Sequence, residues 1–173
     1  MAMIVETERL VIRELEEADR ASLEPMLNDP TTMRFWPRPY TSDEVREWIQ
    51  RHRQRYADDG CGYWLVSLRD GTPIGQAGIM RQQFEWPEQQ RPSYWGLGYI
   101  LHHPFWGQGY ATEAGRACLD WAFSHLQTDR VVALIRPENE PSRAVAHRLG
   151  MREMGSVMYY GFEHGVHVLD QAL

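Results

Sequence analysis

Two glycines one residue apart, Gly107 and Gly109, separate two patterned stretches of the chain. Before them, Tyr94 to Leu101 is aromatic and aliphatic with Gly96 and Gly98 interspersed, which reads as a buried strand approached closely by other groups. After them, Ala111, Ala114, Cys118, Trp121, Ala122 and Leu126 recur at three- and four-residue spacings, so a helix begins near Gly109 with one face in a core. Such a turn folds tightly with its amide N–H groups outward at the positive end of the helix dipole. It suits an anion, most often a phosphate or pyrophosphate, and equally serves as a plain strand-to-helix turn. Other residues able to do chemistry are Asn139 and Ser142, types also favoured simply to start a helix. Glu85, Trp86 and Glu88 lie in a polar loop from Gln82 to Ser93, which is equally readable as solvated. Trp36 belongs to the stiff loop Phe35-Trp-Pro-Arg-Pro-Tyr40, whose aromatics face a ligand or pack on a sheet.

The elements that must position these residues follow from periodicity. Leu10 and Ile12 alternate with Arg9, Val11 and Arg13 as in a half-buried strand. A helix is expected over Glu17 to Asn28 on Leu23, Met26 and Leu27, with Pro25 shortening or kinking it and Asp29-Pro30 ending it. Thr41-Ser-Asp-Glu44 is a capping box for a second helix whose buried face is Val45, Trp48, Ile49, His52 and Tyr56. Arg46, Arg51, Arg53 and Arg55 then lie on its solvated face, and His52 reads as a satisfied core-edge histidine. Tyr63 to Leu68 and Pro73 to Met80 are strands joined by the hairpin turn Arg69-Asp-Gly-Thr72. Arg130 to Ile135 is an interior strand. A short helix follows it, carrying Ala144, Val145, Ala146 and Leu149 and stopped by Gly150. Met151 to Tyr160 and Gly165 to Leu173 close the chain as a hairpin.

Composition bounds the function. The 173 residues with 43% hydrophobic content fit one domain, residues 1–173, with a substantial core. A formal charge of −6 argues against a nucleic-acid surface and admits a cationic acceptor such as an amine. Cys61 and Cys118 read as reduced thiols. The charged stretch Met1 to Leu15 is neither signal peptide nor membrane span, so a cytoplasmic protein with no membrane partner is expected. No metal-ligand spacing appears, and His102 and His103 lack acidic or sulfur partners nearby in sequence.

Trp106-Gly-Gln-Gly-Tyr-Ala111 resembles the acyl-coenzyme A signature of the GNAT N-acetyltransferase superfamily, Arg/Gln-x-x-Gly-x-Gly/Ala, with Trp106 in the first place. The longer string Gly98-Tyr-Ile-Leu-His-His-Pro-Phe-Trp-Gly-Gln-Gly-Tyr-Ala-Thr-Glu-Ala114 is similar to the branch that acetylates the N-termini of ribosomal proteins, and the resemblance covers nearly the whole chain. It implies an α/β fold in which helices flank a mixed, mostly antiparallel sheet whose central strands splay around acetyl-CoA. It also implies a coenzyme site made of Tyr99, Ile100, Leu101, Trp106, Gly107, Gln108, Gly109, Tyr110, Ala111, Thr112, Asn139 and Arg143. Ser142 would lie near the thioester sulfur, and Trp36 and Trp86 would meet the acceptor. The implied reaction is direct attack of an amine, a protein N-terminus or a small molecule, on the acetyl carbonyl.

Relatives often have Glu where this chain has Gly96, which leaves the base open, with Glu85 acting through a water as the substitute. An α-amine with a pKa of about 8 needs less help than a lysine near about 10.4. A catalytically inactive acyl-CoA sensor or scaffold is the alternative in the same fold. A dinucleotide oxidoreductase fails at Thr112, where its third glycine would stand. A homodimer is one oligomeric option.

Overall fold

The computed structural model describes every residue except Met1, Glu88, Gln90 and Leu173. Among the described residues, eight strands form one sheet in the order β1-β2-β3-β4-β5-β6-β8-β7. They are β1 (Met3–Glu6), β2 (Leu10–Arg13), β3 (Tyr63–Leu68), β4 (Pro73–Gln82), β5 (Tyr94–Leu101), β6 (Arg130–Ile135), β7 (Arg152–Tyr159) and β8 (Phe162–Asp170). The helices are α1 (Arg20–Leu27), α2 (Ser42–Asp59), α3 (Tyr110–His125) and α4 (Glu140–Arg148). Among the described residues only β5 and β6 pair in parallel. The architecture is therefore the expected mixed, mostly antiparallel sheet flanked by helices. No helix among the described residues is long and apolar enough to cross a membrane.

Local chemistry accounts for the elements. Thr41 caps α2 with both halves of the capping box closed, and Gly60 ends it at φ 76°. Pro25 sits inside α1, which is confined to eight residues and preceded by a single 3-10 turn at Glu17–Asp19. The β7–β8 turn is only Tyr160-Gly161, with φ of 48° and 80°, the paired left-handed conformation that continues the strand twist. β8 accordingly starts at Phe162, three residues earlier than the periodicity suggests. β1 was not foreseen, because Met3 to Glu6 is too short and too exposed to show alternation.

The two faces of the sheet differ. On one, α3 lays Ala114, Cys118, Leu119 and Ala122, all 0–1% exposed, against Leu10, Ile12, Trp64, Ile74 and Leu97. On the other, α1 and α2 cover Tyr63, Leu65 and Ile100. A smaller cluster of Trp86, Tyr94, Val132, Val157, Val166 and Val168 seals the far end of that second face. Cys61 and Cys118 are free and buried, and burial pushes the Cys61 thiol up to about 12, so neither offers a thiolate.

Candidate active site

The site opens where β5 and β6 part. Among the described residues they pair only at Trp95–Val131 and Gly96–Val132, so the β6-facing backbone groups of the rest of β5 have no ladder partner. Leu101 is the exception, since its carbonyl accepts a 2.7 Å hydrogen bond from Trp106 Nε1. The end of β5, the first turn of α3, the start of α4 and the segment from Thr32 to Trp36 enclose a cleft of about 500 Å³.

One end of the cleft is the turn before α3. Gly107 and Gly109 have φ of 73° and 81°, a region closed to most side chains. The first closed bond of the helix runs from Glu113 N–H to Gly109 C=O at 3.0 Å. The amides of Tyr110, Ala111 and Thr112 precede it and are free by helix geometry, at the positive end of the dipole. This turn is braced from β1–β2. Glu113 accepts bonds from Thr7 Oγ (2.6 Å), Arg9 N–H (2.9 Å) and Arg9 Nε (2.6 Å), while Arg9 Nη1 reaches the Gln108 carbonyl at 2.8 Å. Burial alone would raise the Glu113 pKa, but these donors outweigh it and the net shift is downward.

The opposite wall is the first turn of α4. Asn139 is its cap, accepting from Ser142 N–H at 3.2 Å, and Ser142 lies within the first turn. Tyr99 of β5 aims a buried hydroxyl toward Ser142, too loosely to count as a hydrogen bond, and that hydroxyl has no partner among the described residues. Burial raises its pKa above the ordinary phenol value, so it stays protonated.

The structure thus gathers Tyr99, Ile100, Leu101, Trp106, Gly107, Gly109, Tyr110, Ala111, Thr112, Asn139, Ser142 and Trp36 around one cleft. Gln108 and Arg143 stand outside that lining. The exposed Gln108 contributes its carbonyl to Arg9, and Arg143 pairs with Glu153 at 3.5 Å. The cation on α4 that does line the cleft is Arg148, whose Nε lies 3.3 Å from Thr112 Oγ. Arg34 lines it too, stacked over Trp106 at 4.9 Å. Neither arginine belongs to a motif, and no spacing could have singled it out.

The loop after β4 departs from expectation. Trp86 is only 3% exposed, in the cluster with Tyr94 and Val157, so its indole packs rather than waiting for an acceptor. Glu85 is exposed and lines a shallow depression of about 670 Å³ formed by the loop itself. Glu88 falls outside the described residues.

His103 does have an acidic partner, Asp29, at 2.9 Å, which spacing could not reveal because 74 residues separate them. Ligand atoms of Asp29, His102 and His103 lie within 4.8 Å of one another. The Asp29 carboxylate also accepts from Thr32 N–H (2.8 Å) and Thr32 Oγ (2.6 Å), and these bonds hold its pKa well below the usual carboxylate range. His103 N–H donates to Thr32 Oγ at 3.1 Å, which ties the aromatic loop to the segment before Trp106.

With this geometry in view, the comparisons are specific. Residues 9–152 match the family model described as the acetyltransferase (GNAT) domain. The uncharacterized protein YkkB of Bacillus subtilis is 35% identical over 147 residues, 84% of this chain and 83% of its own. The putative ribosomal N-acetyltransferase YdaF of Bacillus subtilis is 30% identical over 165 residues, 92% of this chain and 87% of its own. A crystal structure of an acetyltransferase from Agrobacterium tumefaciens superposes with a TM-score of 0.82 at 27% identity, covering 99% of this chain and 95% of that one. A strand pair that splays beside a helix opened by Gly-x-Gly, matched over most of its length by that family model, makes this chain a member of the GNAT acetyltransferase family.

Proposed function

We propose that the protein transfers an acetyl group from acetyl-CoA to a primary amine by direct attack, within the branch that acetylates protein N-termini. The observation that carries this reading is the cleft itself, with an amide-rich turn at one end and unladdered β5 backbone leading away from it. Amides of residues 107–112 hold the diphosphate, with Arg34 and Arg148 as flanking cations. The edge of β5 at Ile100 and Leu101, where Trp106 already holds the Leu101 carbonyl, pairs with the pantetheine arm through its remaining backbone groups, and Asn139 and Tyr99 border it. The unpartnered, buried Tyr99 hydroxyl supports the fit, since a group of that kind is costly until a ligand satisfies it.

In this reading the amine nitrogen adds to the acetyl carbonyl carbon, and the tetrahedral oxyanion so formed collapses with breaking of the carbon–sulfur bond. Backbone N–H groups near Ile100 stabilise the oxyanion. The Ser142 hydroxyl supplies a proton to the departing sulfur and regains one from water. Glu85, exposed on its loop, takes up the amine proton through water. Holding both reactants in line contributes several kcal/mol of barrier reduction, on the order of 7 or more when alignment is good.

YdaF is named a putative ribosomal N-acetyltransferase, which supports a ribosomal acceptor, and the pKa of about 8 of an α-amine makes a protein N-terminus the easier nucleophile. The test is a panel of acceptors, namely N-terminal peptides, polyamines and aminoglycosides, assayed by release of free thiol from acetyl-CoA. Turnover of peptides above the others is expected. Coenzyme binding without turnover of any amine would contradict the reading.

A further inference from the structure

From the Gly107–Thr112 turn, β5 runs back past Ile100 and Tyr99 to the apex of the splay, where Gly96 pairs with Val132. At that apex, β5 carries Gly96 and Gly98 on the face covered by α2. Neither position is empty. A Cβ built at Gly96 would overlap the side chain of Gln82, with Oε1 as its nearest atom and Nε2 at 2.9 Å. A Cβ at Gly98 would overlap the Tyr63 hydroxyl and lie 3.0 Å from its Cζ. Two neutral polar tips, brought from β4 and β3, thus occupy the side-chain space of alternate β5 residues about 6.6 Å apart.

The Gln82 tip is incomplete. Its Oε1 is buried and has no hydrogen-bond partner among the described residues. A buried carbonyl oxygen left unpaired costs on the order of 1–3 kcal/mol, which a bound donor would recover. The tips have aromatic neighbours: Gln82 stands opposite Tyr94 in the β4–β5 ladder, Tyr94 stacks with Phe84 at 4.7 Å, and the Tyr63 ring lies 5.2 Å from Trp48.

We propose that Gln82 is the acceptor-binding residue of this site, its amide oxygen taking a hydrogen bond from the N–H of the attacking primary amine. The inference rests on the acetyl-transfer reading. The amine nitrogen bonds to the acetyl carbon and the carbon–sulfur bond breaks, its surplus proton passes through water to Glu85, and the amide of Gln82 keeps both of its own protons. A neutral amide cannot serve as base or anchor a cation by charge. The seat therefore selects weakly basic amines over strongly basic ones.

The test uses the full chain with Gln82→Met, which keeps length and removes the polar tip, and Gln82→Glu, which adds charge. Probes are a Ser-Ala dipeptide amide, spermidine and kanamycin. For Gln82→Met, kcat/KM for the preferred acceptor is expected to fall about tenfold. The KM for acetyl-CoA should stay within about twofold and Tm should hold or rise, because an unpaired buried oxygen has been removed. Gln82→Glu is expected to shift preference toward spermidine. Unchanged acceptor kinetics in Gln82→Met, or a matching rise in the acetyl-CoA KM, would overturn the assignment while leaving the transfer reading intact. A wild-type protein that binds coenzyme A yet acetylates no probe would overturn both.

Discussion

The turn before α3 and the apex of the β5–β6 splay are built from different materials. The turn before α3 is a backbone device, in which positive-φ glycines and the first helical amides present donors whose positions follow from local sequence. The apex near Gly96 is a side-chain device, in which Gln82 and Tyr63 from two other strands fill the space beside Gly96 and Gly98. A backbone site is written in consecutive residues. A side-chain site is written in strand register, which a single sequence does not display.

Substitutions at each end should separate the two. The largest effect is expected from Gly109→Val, where a β-branched residue would be forced to φ 81° with Arg9 Nη2 only 3.3 Å from the new Cβ. Coenzyme A affinity by calorimetry should drop about 100-fold. Ser142→Ala acts between the ends and should lower kcat by about 50-fold, with little change in coenzyme affinity. An equal loss of affinity would reduce Ser142 to a helix-starting role.

His52 distinguishes the ends by pH. It is buried under α2 with Nδ1 accepting from Tyr63 N–H at 3.0 Å, and burial pushes its pKa down to about 3. Below about pH 6.5 the unfolded chain takes up a proton that the folded chain refuses, so this contribution to stability is lost as pH falls from about 6.5 toward about 3. Between pH 7 and pH 5 the loss from this group is about 2 kcal/mol. Urea unfolding at both values should show a shallower pH dependence in His52→Gln.

Arg9→Ala removes the brace from the α3 turn and should raise the acetyl-CoA KM about fivefold, leaving acceptor KM alone. The smallest effect is expected for Glu85→Gln, about twofold to threefold in kcat/KM, because an exposed carboxylate acting through water is readily replaced by solvent. An unchanged kcat/KM there would take Glu85 out of the proton path.

Legibility follows the same division. The Gly107–Gly109 turn, the α2 capping box and the Asp70-Gly71 hairpin signal were readable because each is a local conformational requirement. Placement of Asn139 and Ser142 was readable from family likeness. Arg34, Arg148 and Gln82 were not, since each reaches its position only through sheet order and helix docking. Trp86 was misread because an aromatic in a polar loop looks available, whereas Phe84 and Tyr94 bury it. The Asp29–His103 pair was missed for the same reason of distance along the chain.

The most direct measurement is the amide spectrum of ¹⁵N-labelled protein titrated with coenzyme A. Saturable shifts are expected to be largest at Gly107 and from Gly109 to Thr112, and weak across residues 83–93. Shifts concentrated in that loop, or none from 107 to 112, would contradict a diphosphate held by the α3 turn.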